Sequence, residues 1–181
     1  MKKQLFTTRR LVLDAVLVAL YIVLAMFKIP IGNILRFNMA SFAVVMCAVA
    51  FGPVDGLIVG FMGEFLSQIL GPYGLTPTTV LWAMPEAIRG GLLGFAIVSF
   101  KLMDKKKFVL FMAACIVSGL MASLANTFAL YVDSKMYGYY TYYMVFGVLV
   151  TRLIIAVILS GTFGLIAMPV VSALKRNKLI K

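Results

Sequence analysis

The sequence predicts an all-α integral membrane protein, a single bundle of six transmembrane helices over residues 1–181 with both termini cytoplasmic. Three observations carry that reading. Of the 181 residues, 63% are hydrophobic and only 13% are charged, where soluble domains carry about a quarter charged residues; lipid must therefore be the solvent for most of the chain. The apolar residues fall into six runs broken by glycine, proline or charge. The basic residues collect at one end of those runs, the asymmetry that orients membrane helices.

The first run is Leu11–Ile29, preceded by Met1-Lys2-Lys3 and Arg9-Arg10. A basic start before an apolar run also describes a signal peptide. This run is long and no clean small-x-small cleavage site follows it, so it reads as a retained first helix. The second and third runs, Met39–Val54 and Leu57–Leu70, are short; the third rises only ~21 Å as a helix against a hydrocarbon core of ~30 Å. The pair either crosses a thinned bilayer or dips in and returns, and short Gly/Pro-broken segments of this kind border cavities. The fourth, fifth and sixth runs are Thr78–Leu102, Phe108–Val132 and Tyr143–Leu174.

One side of the predicted bundle holds Lys2, Lys3, Arg9, Arg10, Lys101, Lys105, Lys106, Lys107, Lys175, Arg176, Lys178 and Lys181. The other holds Lys28, Arg36 and Lys135. The richer side is the cytoplasmic one. The net charge of +11 is thereby explained as topology and headgroup contact, and nucleic acid is not expected as a partner.

Cys47 and Cys115 lie inside apolar runs, without disulfide or metal spacing, and the chain has no histidine. No Walker A sequence and no nucleophile–base pair with histidine is present, so neither an ATP motor, a metal, a cofactor nor a catalytic residue is expected.

Charges inside lipid are costly and mark function first. Glu64, Glu86, Arg89 and Arg152 are such charges; Asp14 is set aside as a partner of Arg10 near the interface. Trp82, Glu86 and Arg89 follow three-and-four spacing and share one side of a helix. By depth, Glu64, Gln68, Asn126 and Arg152 fall in the same outer half. Glu86 and Arg89 neutralising each other, and Arg152 pairing with Glu64, is the plain structural alternative. All four acting as structure alone is disfavoured, because buried ion pairs stabilise poorly.

The linker from Gly71 to Trp82 is uncharged and rich in turn formers, hydroxyls and aromatics. It reads as a lid, or as a tight turn with Thr76-Pro77 opening the next helix and Trp82 at the interface. Tyr131, Tyr137, Tyr139, Tyr140, Tyr142 and Tyr143 crowd the next outer connection; an aromatic belt accounts for most, and one or two could stack on a flat ligand. Small residues recur at spacing four in Ala15 and Ala19, and in Gly52, Gly56 and Gly60, which permits close helix packing.

With its small size, about six spans, cytoplasmic termini and Ala15-x-x-x-Ala19, the chain resembles the substrate-binding (S) components of energy-coupling factor (ECF) vitamin transporters. Gly71-Pro72-Tyr73-Gly74-Leu75-Thr76-Pro77-Thr78-Thr79, with Leu81-Trp82 and Arg89-Gly90, is similar to the folate branch; branches for pyridoxine or pantothenate share some of it. The resemblance implies a multi-pass cell-membrane subunit that is not an enzyme. It implies that the protein binds a vitamin from outside, then joins a transmembrane coupling protein and two ATPase subunits, and topples to deliver it. It places Ala15 and Ala19 at the coupling protein. Arg36, Asn38, Glu64, Gln68, Tyr73, Thr78, Trp82, Glu86, Asn126, Tyr131 and Arg152 are the expected substrate-binding residues. A pterin would stack on Trp82 or a tyrosine and donate to Glu64 or Glu86, and an anionic tail would meet Arg36, Lys135 or Arg152. The residues also permit an independent ion-coupled carrier with Glu64 or Glu86 as proton site.

Overall fold

A computed structural model describes residues 8–31, 35–72 and 74–177, without the side chains of residues 28–31, 35–38 and 105. Six α-helices follow one another: α1 Thr8–Met26, α2 Ser41–Phe51, α3 Pro53–Ile69, α4 Thr79–Phe100, α5 Phe108–Met136 and α6 Leu149–Arg176. A 3₁₀ turn, Lys105–Lys107, precedes α5, and a π-helical turn, Tyr143–Gly147, precedes α6.

Two expectations change here. Between α1 and α2 the described residues form two strands: β1 Lys28–Ile31 and β2 Leu35–Asn38 pair antiparallel, with Ile29 opposite Phe37 and Ile31 opposite Leu35. The second and third runs also divide elsewhere. Gly52 adopts φ +102°, open to glycine alone without strain, and Pro53 starts α3 at the position where its missing N–H costs nothing. The second helix is therefore only 11 residues and the third is 17, or ~16 Å and ~25 Å long. By length and composition, three helices among the described residues can cross a membrane: Thr79–Phe100, Phe108–Met136 and Tyr143–Arg176.

The closest helix pair is α3 and α4. A Cβ on Gly90 would overlap the carbonyl oxygen of Gly56, one on Gly56 would lie 2.7 Å from that of Gly90, and one on Gly60 would overlap that of Glu86. The two backbones touch through facing small-xxx-small rows, Gly56/Gly60 and Gly90/Gly94. This contact sets Glu86 of α4 against Gly60, with Glu64 one turn further along α3. Further along the same glycine stripe of α3, Gly63 leaves room for the Tyr21 ring of α1, whose Cγ would stand 2.7 Å from an added Cβ.

The described basic residues Arg9, Arg10, Lys101, Lys106, Lys107, Lys175 and Arg176 mark one end of the bundle; the β-hairpin marks the other. Apolar packing fills the basic half, where Val45, Val49, Leu93, Ile97, Phe111, Phe163 and Val171 form one buried cluster. Arg10 closes that end, bonding Asp55 of α3 through Nε at 2.6 Å and the Phe51 carbonyl through Nη2 at 2.6 Å. Arg10 was expected to pair with Asp14. Asp55 is fully buried, and a buried carboxylate without a counter-charge costs far more than one near the surface. Asp14 instead faces the Cys47 thiol at 3.7 Å.

Candidate functional site

The hairpin half contains a polar cluster drawn from four helices. Tyr21 of α1 is 0% exposed, and its hydroxyl donates to Glu64 Oε2. Gln68, one turn along α3, donates to Glu64 Oε1 at 2.6 Å. Ser41, the first residue of α2, donates to Glu86 Oε1 at 2.7 Å. Arg89 is 7% exposed, and its Nη1 stands 3.8 Å from the same Glu86 oxygen. The helix spacing of Glu86 and Arg89 thus gives an ion pair, but one longer than a hydrogen bond.

Two buried atoms in this cluster have no hydrogen-bond partner among the described residues: Glu86 Oε2 and Arg89 Nε. Buried polar atoms are nearly always paired, because an unmade bond costs the full desolvation of the group. An orphan acceptor and an orphan donor in one cluster are complementary to a ligand that offers one donor beside one acceptor.

The other expected residues lie as follows. Trp82 is half-buried one turn before Glu86 on α4. Thr78 is buried but donates to Asp133 of α5, away from the carboxylates. Tyr131 is part of an aromatic group with Tyr140, centroids 5.7 Å apart, and Phe146, at 6.2 Å. Lys135 sits 4.1 Å over the Tyr140 ring. Arg152 donates to the Met144 carbonyl of the π turn at 3.2 Å, with Nη1 unpartnered; it does not pair with Glu64. Asn126 is exposed on α5. Ala15 and Ala19 are exposed on α1, in a face shared with Val12, Val16 and Val23. Tyr73 and the side chains of Arg36 and Asn38 lie outside the described residues. The sequence reading missed Tyr21 and Ser41 as site residues, and it treated Arg89 as a charge without assigning it to binding. A lone tyrosine inside the first apolar run was the available signal.

Two grooves open on the described surface. One of about 500 Å³ runs between α3 and α4 past Leu57, Phe61, Met84, Ile88 and Phe95. The other, about 280 Å³, is lined by Leu124, Phe128, Tyr131 and Phe146. Both are apolar and neither is lined by Glu64, Glu86 or Arg89. The polar cluster thus stands apart from both grooves, with Glu64, Gln68 and Glu86 half-buried.

A small helical bundle with apolar packing in one half and an incompletely paired polar cluster in the other defines a class of compact membrane-embedded proteins. Its fold is that of solved S components. The crystal structure of the S-component for biotin from an ECF-type ABC transporter superposes with a TM-score of 0.67 at 16% identity, covering 93% of this chain and 92% of that one. The S component of a bacterial ECF transporter gives 0.56 at 18% identity, covering 95% and 96%. The family model "ECF-type riboflavin transporter, S component" matches residues 5–176, and the chain belongs to that family. Among curated relatives, a UPF0397 protein of Vibrio atlanticus (strain LGP32) is 29% identical over 104 residues, 56% of this chain and 53% of the relative. One of Aliivibrio fischeri (strain MJ11) is 29% identical over 113 residues, 58% and 60%. The chain thus spans between half and two thirds of the length of these two relatives.

Proposed function

We propose that this chain is the vitamin-binding subunit of an ATP-driven ECF importer in the cell membrane, with folate as its vitamin. The observation that carries the reading is the buried orphan pair, Glu86 Oε2 and Arg89 Nε. A ring N–H next to a ring carbonyl satisfies both at once, and a pterin has that edge. Half-buried Trp82 stands one turn away as a stacking surface. The unpartnered Nη1 of Arg152 supplies charge for an anionic tail. The basic end is the cytoplasmic end by the distribution of lysine and arginine. All six helices then cross, α2 where the bilayer thins around it. Ala15 and Ala19, small and exposed, suit close approach of a coupling-protein helix, which would bring two ATPases.

Riboflavin is the second reading, favoured by the description of the matching family model. A flavin also carries an N–H beside a carbonyl, but its tail is neutral and has no need of Arg152. Titration of the purified full chain, read by quenching of Trp82, separates the two, with pantothenate, pyridoxine and thiamine as controls. Saturable binding of folate alone, weakened in Arg152→Gln, is the expected result. Saturation by riboflavin with no Arg152 effect would keep the importer and replace the vitamin. Silence from every compound, repeated by calorimetry, would remove the binding function.

A further inference from the structure

Asp133 lies three residues before the end of α5 and is 8% exposed, and both of its carboxylate oxygens are occupied. Thr78 Oγ1 donates to Oδ1 at 2.5 Å, and the Tyr139 hydroxyl donates to Oδ2. The two donors belong to different connections. Thr78 immediately precedes α4, whereas Tyr139 stands between α5 and the π turn.

Thr78 is not an isolated donor. The Thr76 hydroxyl lies 3.2 Å from that of Thr78 and 3.0 Å from that of Thr79, and the Thr76 backbone N–H donates to Thr79 Oγ1 at 2.8 Å. The Thr76–Thr79 turn therefore moves as a unit, and Asp133 holds it. Along α4, Thr78 is about two turns, ~12 Å, from Glu86 on the hairpin side. The turn therefore lies between that end of the bundle and the polar cluster, which neither surface groove reaches.

We propose that Asp133 is a positioning residue: one carboxylate latches the turn before α4 and the connection after α5 to the same point, and its release is the step that opens the hairpin end of the bundle. A carboxylate suits the task because it only accepts, on two oxygens, and so can hold two hydroxyl donors at once. An amide at the same place has a single acceptor oxygen and presents N–H groups to the second hydroxyl. The role as a gate for ligand rests on the proposed binding function; the latch itself does not, and it is tested without ligand so that the two stand or fall apart.

The experiment is hydrogen–deuterium exchange on the ligand-free full chain in nanodiscs. Asp133→Ala is expected to raise exchange at residues 74–79 and 137–142 together by about tenfold or more, the effect of losing charged hydrogen bonds. Thr78→Val and Tyr139→Phe keep size and charge, and carry the test if Asp133→Ala fails to fold. Each is expected to raise exchange in both segments, with Tyr139→Phe acting on residues 74–79 from outside them. In an Asp133→Ala background, Tyr139→Phe should add nothing. Amides of the basic-half core, around Leu93 and Phe111, should keep their protection. Changes confined to the substituted segment, or additive effects in the Asp133→Ala background, would overturn the latch and leave two unrelated local contacts.

Discussion

Glu86→Gln is expected to lower vitamin affinity by about 10–100-fold, the range for losing a hydrogen bond to a charged group, with the fold intact. The amide would keep the bond from Ser41 but lose the charge facing Arg89 and turn one acceptor into a donor. Arg89→Met should also abolish high affinity, and it should destabilise the protein by about 3 kcal/mol, because it leaves a largely buried carboxylate without its counter-charge. The double variant distinguishes binding from structure. Removing both charges returns stability toward the parent, since buried pairs are readily replaced by uncharged groups, but affinity should stay low because neither orphan atom is restored. Melting temperature and titration on the four proteins check this. Full affinity in the double variant would make Glu86 and Arg89 structural.

Gly90→Ala is expected to cost about 1–3 kcal/mol or more as overpacking, seen as a fall in melting temperature, and to weaken binding with it. The added Cβ would meet the Gly56 carbonyl oxygen, a backbone atom that cannot turn aside, so α3 and α4 must part. Parting them moves the Glu86 backbone away from Gly60 and so shifts the two carboxylate-bearing helices relative to one another. The neighbouring residue is the control. A Cβ on Gly91 meets only the Leu57 side chain, 3.6 Å away, so Gly91→Ala should be neutral or stabilise the helix by about 0.5–1 kcal/mol. Equal effects at the two positions would contradict the close-packed helix pair.

Both predictions rest on features of unequal visibility in the sequence. The helix runs were legible because apolar stretches this long have few other solutions, and the break read over Gly52-Pro53-Val54-Asp55-Gly56 contains the observed α2–α3 boundary at Gly52-Pro53. The hairpin was not, since Lys28–Ile31 and Leu35–Asn38 are too short to show alternation against an apolar background. Glu64, Gln68 and Glu86 were visible as polar residues in apolar runs. Asn126 and Arg152 were placed by depth alone, and depth says nothing about rotation about the helix axis; Arg152 donates through one nitrogen to the π turn and keeps another unpartnered, and Asn126 is exposed. Tyr21, Ser41 and Asp133 depend on which helix packs on which, and local spacing does not carry that information.

The central claim, a binding subunit that needs an ATP-driven module, is tested most directly by uptake into proteoliposomes. The chain would be reconstituted alone and with a coupling protein and two ATPases, using labelled folate or riboflavin, whichever the titration selects. Uptake should require the complete set and hydrolysable ATP, and should survive a protonophore. Uptake by the chain alone, abolished by the protonophore, would contradict the claim and make it an ion-coupled carrier, with Glu64 or Glu86 as the proton site.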